Sequence, residues 1–404
     1  MMKSIHGGAM TCRWLLSLFP MLALSAEFSV SPKVLHQFSA NNQAGYNAQG
    51  GLIKGSDGAF YGTTVYGGAN KNLNTLGHGT VYKLQADGSG FSVIHHFREA
   101  SNPQMGVTEG RDGFLYGTTE SGGNRFLGTV FKVAKDGSGF AILHHFSGIA
   151  AEGKRPYAAL NVDSNAVCYG TTVEGGQYFK GTVFRIDGSG HGYRVLYHFI
   201  GKQRMDGSEP KGPLLRASDG NLYGTTSGGG RNNFGTIFTL DDNGVKYRLL
   251  HAFGDQLGDG AKPFAGLVEG SDGKLYGTTI AGGTSSQGTV FSVGKDGKGY
   301  QVLRSFPVPM GDAQNLYSPL TEGGDGALYG AALNGGTGHS GLIFRIGKDG
   351  RDYTPVWTFT LNGIEGGHPY GGLVLESNGT IYGATTSGGA ERQGALFRLD
   401  RVAR

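Results

Sequence analysis

Short apolar runs separated by glycine-rich polar turns fill this chain, and no stretch keeps a helical period. Between Lys262 and Phe306 the pattern predicts four strands. Residues 263–269 form a short first strand, and Gly270-Ser271-Asp272-Gly273 is a turn whose Asp-Gly pair tolerates positive φ. Residues 275–279, Leu-Tyr-Gly-Thr-Thr, suit a pleated surface and make the second strand. Gly282-Gly283 opens a loop to a third strand at 288–293, and Asp296-Gly297 turns the chain into a fourth at 300–306. Four short antiparallel strands in a unit of this length describe a propeller blade.

The unit recurs. Its Tyr-Gly pair stands at Tyr61, Tyr116, Tyr169, Tyr223, Tyr276, Tyr329 and Tyr382, in steps of 55, 53, 54, 53, 53 and 53 residues. So steady a period marks stacked modules, each too small to bury its own apolar face. The last copy holds a third strand at 394–399 and no fourth, whereas 32–38 match a fourth strand without a blade of its own. The expected fold is all-β: a seven-bladed β-propeller of four-stranded antiparallel blades, closed by the N-terminal strand completing the last blade. Residues 27–404 are read as one such domain.

The repeats Leu-Tyr-Gly-Thr-Thr, Gly-Gly, Gly-Thr-Val-Phe, Asp-Gly and Leu-His-x-Phe resemble the GloVer tandem-repeat family of exported bacterial proteins. The resemblance covers essentially all of the chain after the leader. It implies secretion, a propeller-like repeat domain and no established activity. Members often carry a C-terminal sorting or anchoring tail; here the chain ends soon after Phe397, which departs from that pattern.

Composition changes this picture little. The 76 glycines follow no collagen triplet and aromatics stand at 11%, so glycine serves tight turns rather than disorder. A formal charge of +4 on 404 residues, with no Lys/Arg run, excludes nucleic acid and an anionic membrane surface as expected partners. Lys3 and Arg13 precede an apolar run over 14–24, with small residues at Ala23 and Ser25. Residues 1–26 thus read as a secretory signal peptide, too short to span a bilayer. The mature chain is expected to be secreted or periplasmic, unanchored and monomeric. Of two cysteines, Cys12 lies in the leader and Cys168 in an apolar column, so no disulfide framework is possible after cleavage.

Candidate chemistry falls in columns. Four residues before a proline column stand Glu99, Glu152, Asp206, Asp259, Asp312 and Glu365, with Ala44 in blade one. Six rim carboxylates at a channel mouth could hold Ca²⁺, or each could accept backbone N–H bonds in its own turn. Repetition in six blades favours the turn role, and no other cofactor is expected. His36, His95, His144 and His251 share one column and His96, His145 and His198 its neighbour. Members of a column lie a blade apart and cannot converge on one metal. The Thr-Thr pairs read as strand residues, since Ala331-Ala332 replaces them in blade six. No Lys-Ser/Thr follows the Gly-Gly pairs, so they are not phosphate loops.

What differs between copies points to binding. The loops between second and third strands carry Arg125-Phe126, Tyr178-Phe179 and Arg231 with Phe234, residues suited to stacking on sugars and bonding hydroxyls. Arg155, Arg204 and His368 join them as unrepeated residues near the rim. The expected function is a binding module for extracellular glycan or protein with no defined catalytic constellation. A polysaccharide lyase or glycosidase is the alternative, drawing on Arg155, Arg204, Glu209, Lys262, His368 and the carboxylates Glu152, Asp206 and Glu365. A purely structural envelope protein is the third reading.

Overall fold

A computed structural model describes residues 29–39, 43–69, 77–98, 100–149, 151–307, 311–360 and 363–402. The leader expected at 1–26 lies outside them, as does Glu99. Seven antiparallel sheets follow the repeat, each of four strands save that Gly367–Pro369 adds a fifth in blade seven, and blade five shows the order: Val268–Glu269, Leu275–Thr279, Thr289–Val293 and Gln301–Ser305. The ring closes through Ser29–Gln37, which pairs antiparallel with Ala395–Val402 as the outermost strand of blade seven.

Packing explains the repeat motif. Gly277 pairs in register with Phe291, and a Cβ at Gly277 would lie 2.5 Å from the Phe291 Cζ. The same 2.5 Å approach sets Gly117 against Phe131, Gly170 against Phe184 and Gly330 against Phe344. Glycine after tyrosine is therefore the space into which the phenylalanine of the next strand packs. Gly277→Ala should destabilise by about 1–3 kcal/mol, measured by urea unfolding, because that ring cannot move away through a filled core.

The tyrosine and threonines tie the blade to itself and its neighbour. Tyr276 donates its hydroxyl to Asp272 in the preceding turn at 2.6 Å, as Tyr61 does to Asp57 and Tyr116 to Asp112 at 2.7 Å. Thr279 Oγ1 and Thr289 Oγ1 lie 2.9 Å apart within the blade, while the Thr278 hydroxyl donates to Ser318 O of the next blade at 3.2 Å. Blade six replaces both partners together: Ala332 pairs with Leu342, and the contact becomes apolar. Seven buried clusters result, one at each seam between adjacent blades. The seam joining blade seven to blade one contains Leu35 and Phe38 of the N-terminal strand against Leu52, Phe60 and Tyr82.

The innermost strand is shorter than the pattern predicts. Only Val268–Glu269 pairs with Leu275–Thr279, while Gly260–Ala261 pairs separately with Ala281–Gly282. Between them Lys262 adopts φ +55°, which turns the chain before Pro263. Equivalent two-residue ladders recur in blades two, three, four and six, for example Gly153–Lys154 with Glu174–Gly175. They bind each interblade linker to the loop between second and third strands. Linkers and these loops thus share one face, termed the linker face; the Asp-Gly turns occupy the other.

Candidate functional site

The acidic column lies in the seams. Asp259 accepts from Gly254 N and Gly260 N, both at 2.7 Å, from Tyr300 OH at 2.5 Å, and from His251 Nε2 at 3.1 Å. His251 belongs to the outer strand of blade four and Tyr300 leads into that of blade five, and their rings stack with centroids 3.6 Å apart. Asp206 repeats this with Tyr197 and Tyr247, and Asp312 with Arg304 and Tyr353. Glu152 bonds His144 at 2.6 Å and Ser147 N at 2.8 Å, while Glu365 is buried and its backbone carbonyl accepts from Thr385. The backbone bonds expected of these acids are present in four blades; the seam bonds to two neighbouring outer strands are an addition. Blade one is consistent with the pairing, since Ala44 replaces the acid and Phe91, without a hydroxyl, stacks on His36.

Charge follows from this geometry. Burial opposes ionisation of Asp259, but hydrogen bonds from His251 and Tyr300 outweigh it and hold the carboxyl below its ordinary value. Burial lowers His36 and His95 to about 4, so both stay neutral. In the neighbouring column, His96, His145 and His198 accept backbone N–H groups of the adjoining loop at 3.1, 3.3 and 3.4 Å through Nδ1. Among the described residues no three His, Cys, Asp or Glu side chains gather as a metal site. Treatment with EDTA should leave the melting temperature unchanged; a drop of several degrees would restore Ca²⁺ at the acids.

A second column carries the more unusual chemistry. The residue before the proline column is left-handed in all seven blades, with φ between +55° and +61°. Asn47, Asn102 and Asn315 occupy it in blades one, two and six, as expected for the side chain that best tolerates this conformation. Blades three, four, five and seven place Arg155, Glu209, Lys262 and His368 there. The backbone reason is the seam: Arg155 N donates to Leu127 O of blade two at 2.8 Å, and Arg155 O accepts from Val173 N at 3.1 Å. The fold requires the conformation but leaves the side chain free. Strained, chemically diverse side chains at one column are where function collects.

Two residues further on, sequence reasoning missed a cluster. Tyr157, Phe264, Tyr317 and Tyr370 come from blades three, five, six and seven, yet touch one another. The Tyr157 and Tyr370 hydroxyls lie 3.0 Å apart, Tyr317 stacks on Tyr370 at 4.9 Å, and Phe264 meets Tyr157 and Tyr317 edge-on at 5.4 and 4.8 Å. Rings from blades so far apart in the ring meet only at its axis. Burial pushes Tyr157 up to about 12 and Tyr370 also upward, so both hydroxyls remain donors. The column Gln49, Gln104, Tyr157, Lys211, Phe264, Tyr317, Tyr370 held the signal, in its departure from uniformity.

Around this aromatic floor three clefts run in series over blades three to five. One of ≈ 530 Å³ is lined by Ile149, Lys154 and Phe179; the next, ≈ 400 Å³, by Glu120, Arg155, Tyr157 and Lys180. The third, ≈ 360 Å³, holds Asn233, Lys262 and Tyr317. Phe179 borders the first two, and Glu209, Lys211 and Phe264 border the last two. Arg155 pairs with Glu120 and with Glu174 at 2.6 Å, and Glu120 holds its guanidinium pKa above the ordinary value.

The other predicted site residues are dispersed on the same face. Phe126 and Phe179 are left-handed, at φ +58°, and 80% and 77% exposed. Arg125, Tyr178, Arg231 and Phe234 are exposed beside them, and Arg204 ends a 3-10 turn at Lys202–Arg204. His368 bonds Ser387 Oγ through Nδ1 at 2.6 Å, and burial lowers its pKa, leaving a neutral ring.

The Gloeobacter/Verrucomicrobia repeat model matches residues 24–216, 71–269 and 214–403. The chain belongs to this family. No curated relative matches the sequence. Among solved structures, the extracellular domain of BT4673 from B. thetaiotaomicron aligns over 89% of this chain at 9% identity and TM-score 0.56. The repeat-family chain spans only 39% of that protein. An oligogalacturonate lyase in complex with manganese aligns over 93% of this chain and 94% of its own, at 12% identity and TM-score 0.54. A Dyadobacter fermentans protein of unknown function aligns over 92% and 99%, at 12% identity and TM-score 0.50. At these identities the likeness shows the propeller fold alone. Among the described residues no helix is long and apolar enough to cross a membrane.

Proposed function

We propose that this repeat-family propeller is an exported binding module that takes an extracellular glycan or protein on its linker face. The observation that carries the reading is the left-handed column, where Arg155, Glu209, Lys262 and His368 replace asparagine beside an aromatic floor. Exposed Phe126 and Phe179 support it, since neither conformation nor burial favours phenylalanine at those positions. The signal-like N-terminus and the likeness to an extracellular domain agree with export.

The test is a glycan array and a pull-down from extracellular material, run with wild type and two sets of variants. Phe126→Ala, Phe179→Ala and Phe234→Ala should abolish capture, whereas changes to the Asp-Gly turns, such as Lys298→Ala, should not. Absence of any ligand above background sinks the proposal and leaves the structural-protein reading.

Polysaccharide cleavage is a second reading, favoured by one observation. Neutral His368 keeps Nε2 available on the rim, while protonated Tyr157 and Tyr370 are placed as donors rather than bases. Incubation with acidic polysaccharides should then give unsaturated-uronate absorbance, lost in His368→Ala. Silence across a broad panel excludes lyase action.

A further inference from the structure

The clefts over blades three to five are electrically unbalanced, and the imbalance selects among ligands. Arg155 is committed to Glu120 and Glu174, and Lys154 lies 3.1 Å from Glu174. Three cations remain. Lys180 and Lys262 have no carboxylate within ion-pair distance among the described residues, and Lys211 sits 3.6 Å from the exposed Glu209 and 5.2 Å from the Phe264 ring centre. With Glu152 of the first cleft counted, five cations stand against four carboxylates over the three clefts, and the excess lies with Lys180 and Lys262.

Unpaired surface lysines are ordinary by themselves. The backbone of two of these, Lys180 and Lys262, is fixed at the seams. Glu209 N donates to Lys180 O at 2.9 Å across the seam of blades three and four, and Lys262 N donates to Phe234 O at 2.7 Å across the next. Lysine thus recurs at successive seams, with rings between: Phe179 precedes Lys180, Phe264 lies under Lys211, and Tyr317 shares a cleft with Lys262.

Resting on the binding-module reading, we infer that the ligand is a linear polysaccharide bearing carboxylates, a uronate chain. Its apolar sugar faces stack on Phe179 and Tyr317, and its carboxylates accept hydrogen bonds from Lys180, Lys211 and Lys262. A neutral glycan would use the rings and leave Lys180 and Lys262 without ionic partners. An acidic peptide would use the ammonium groups but offers no rigid flat face to the rings.

Calorimetric titration of the full chain with oligogalacturonate and oligomannuronate, the methyl ester of the former, a neutral gluco-oligosaccharide and polyglutamate tests this. At least one uronate should bind, weakening as salt rises, with the ester at least about tenfold weaker. Lys211→Gln and Lys262→Gln should each cost about tenfold, the size of one charge-assisted hydrogen bond. The melting temperature of Lys262→Gln should not change, since that residue is exposed. Equal binding of ester and acid, or of neutral glycan alone, overturns the uronate inference while the binding module stands. Polyglutamate binding as tightly as uronate overturns it in favour of a peptide. Failure of both uronates overturns the uronate inference, and the binding module falls with it only where the glycan array and the pull-down also capture nothing.

Discussion

Phe38→Ala should lower the unfolding free energy by about 3–5 kcal/mol in urea denaturation. Phe38 lies one residue past Ser29–Gln37 and is fully buried, packed edge-on against Tyr82 of blade one at 5.6 Å. Its backbone N–H donates to Gly394 O at 3.0 Å, so one residue joins the last blade's ladder to the first blade's core. Loss of the ring removes transfer free energy and leaves a cavity at the seam that closes the propeller. Phe126→Ala, on an exposed ring of the same type, should stay within about 0.5 kcal/mol. Similar small effects at both positions would contradict closure through this strand.

Asp259→Ala should cost about 2–4 kcal/mol, because it orphans Tyr300 OH, the buried Gly260 amide and the half-buried Gly254 amide together. Its pH signature follows in sign. The folded-state pKa lies below the ordinary 3.8, so the carboxylate stabilises the fold above that value. That stability is lost as pH falls through the lower folded-state pKa. The wild type should therefore lose more stability between pH 5 and pH 2 than Asp259→Ala does. Parallel pH profiles would remove Asp259 from the seam's energetics.

Much of the fold was legible because its determinants are local and repeated. Gly277 and Phe291 sit fourteen residues apart on paired strands, Asp272 and Tyr276 four apart, so each copy displays the whole device. Even the joint change to Ala332 and Leu342 is visible as a lapse in two columns. The seam acids were harder to place. Asp206 reaches Tyr247 across 41 residues, and only the stacking of blades decides that an acid near the rim faces sideways. The left-handed column was hidden for a different reason. Its φ comes from hydrogen bonds to two blades, and nothing in Arg155 or Lys262 as a residue type signals it. The aromatic floor needs the axis itself, since Tyr157 and Tyr370 are 213 residues apart.

The proposed function assigns different work to the two faces: repetition builds the ring, and departure from repetition would build the binding site on the linker face over blades three to five. Hydrogen–deuterium exchange with and without a captured extracellular ligand tests that assignment most directly. Protection is predicted in the ladders at Gly153–Lys154 with Glu174–Gly175, Gly207–Ser208 with Gly228–Gly229, and Gly260–Ala261 with Ala281–Gly282. Protection confined to the Asp-Gly turns of the opposite face, or spread equally over all seven blades, would contradict it.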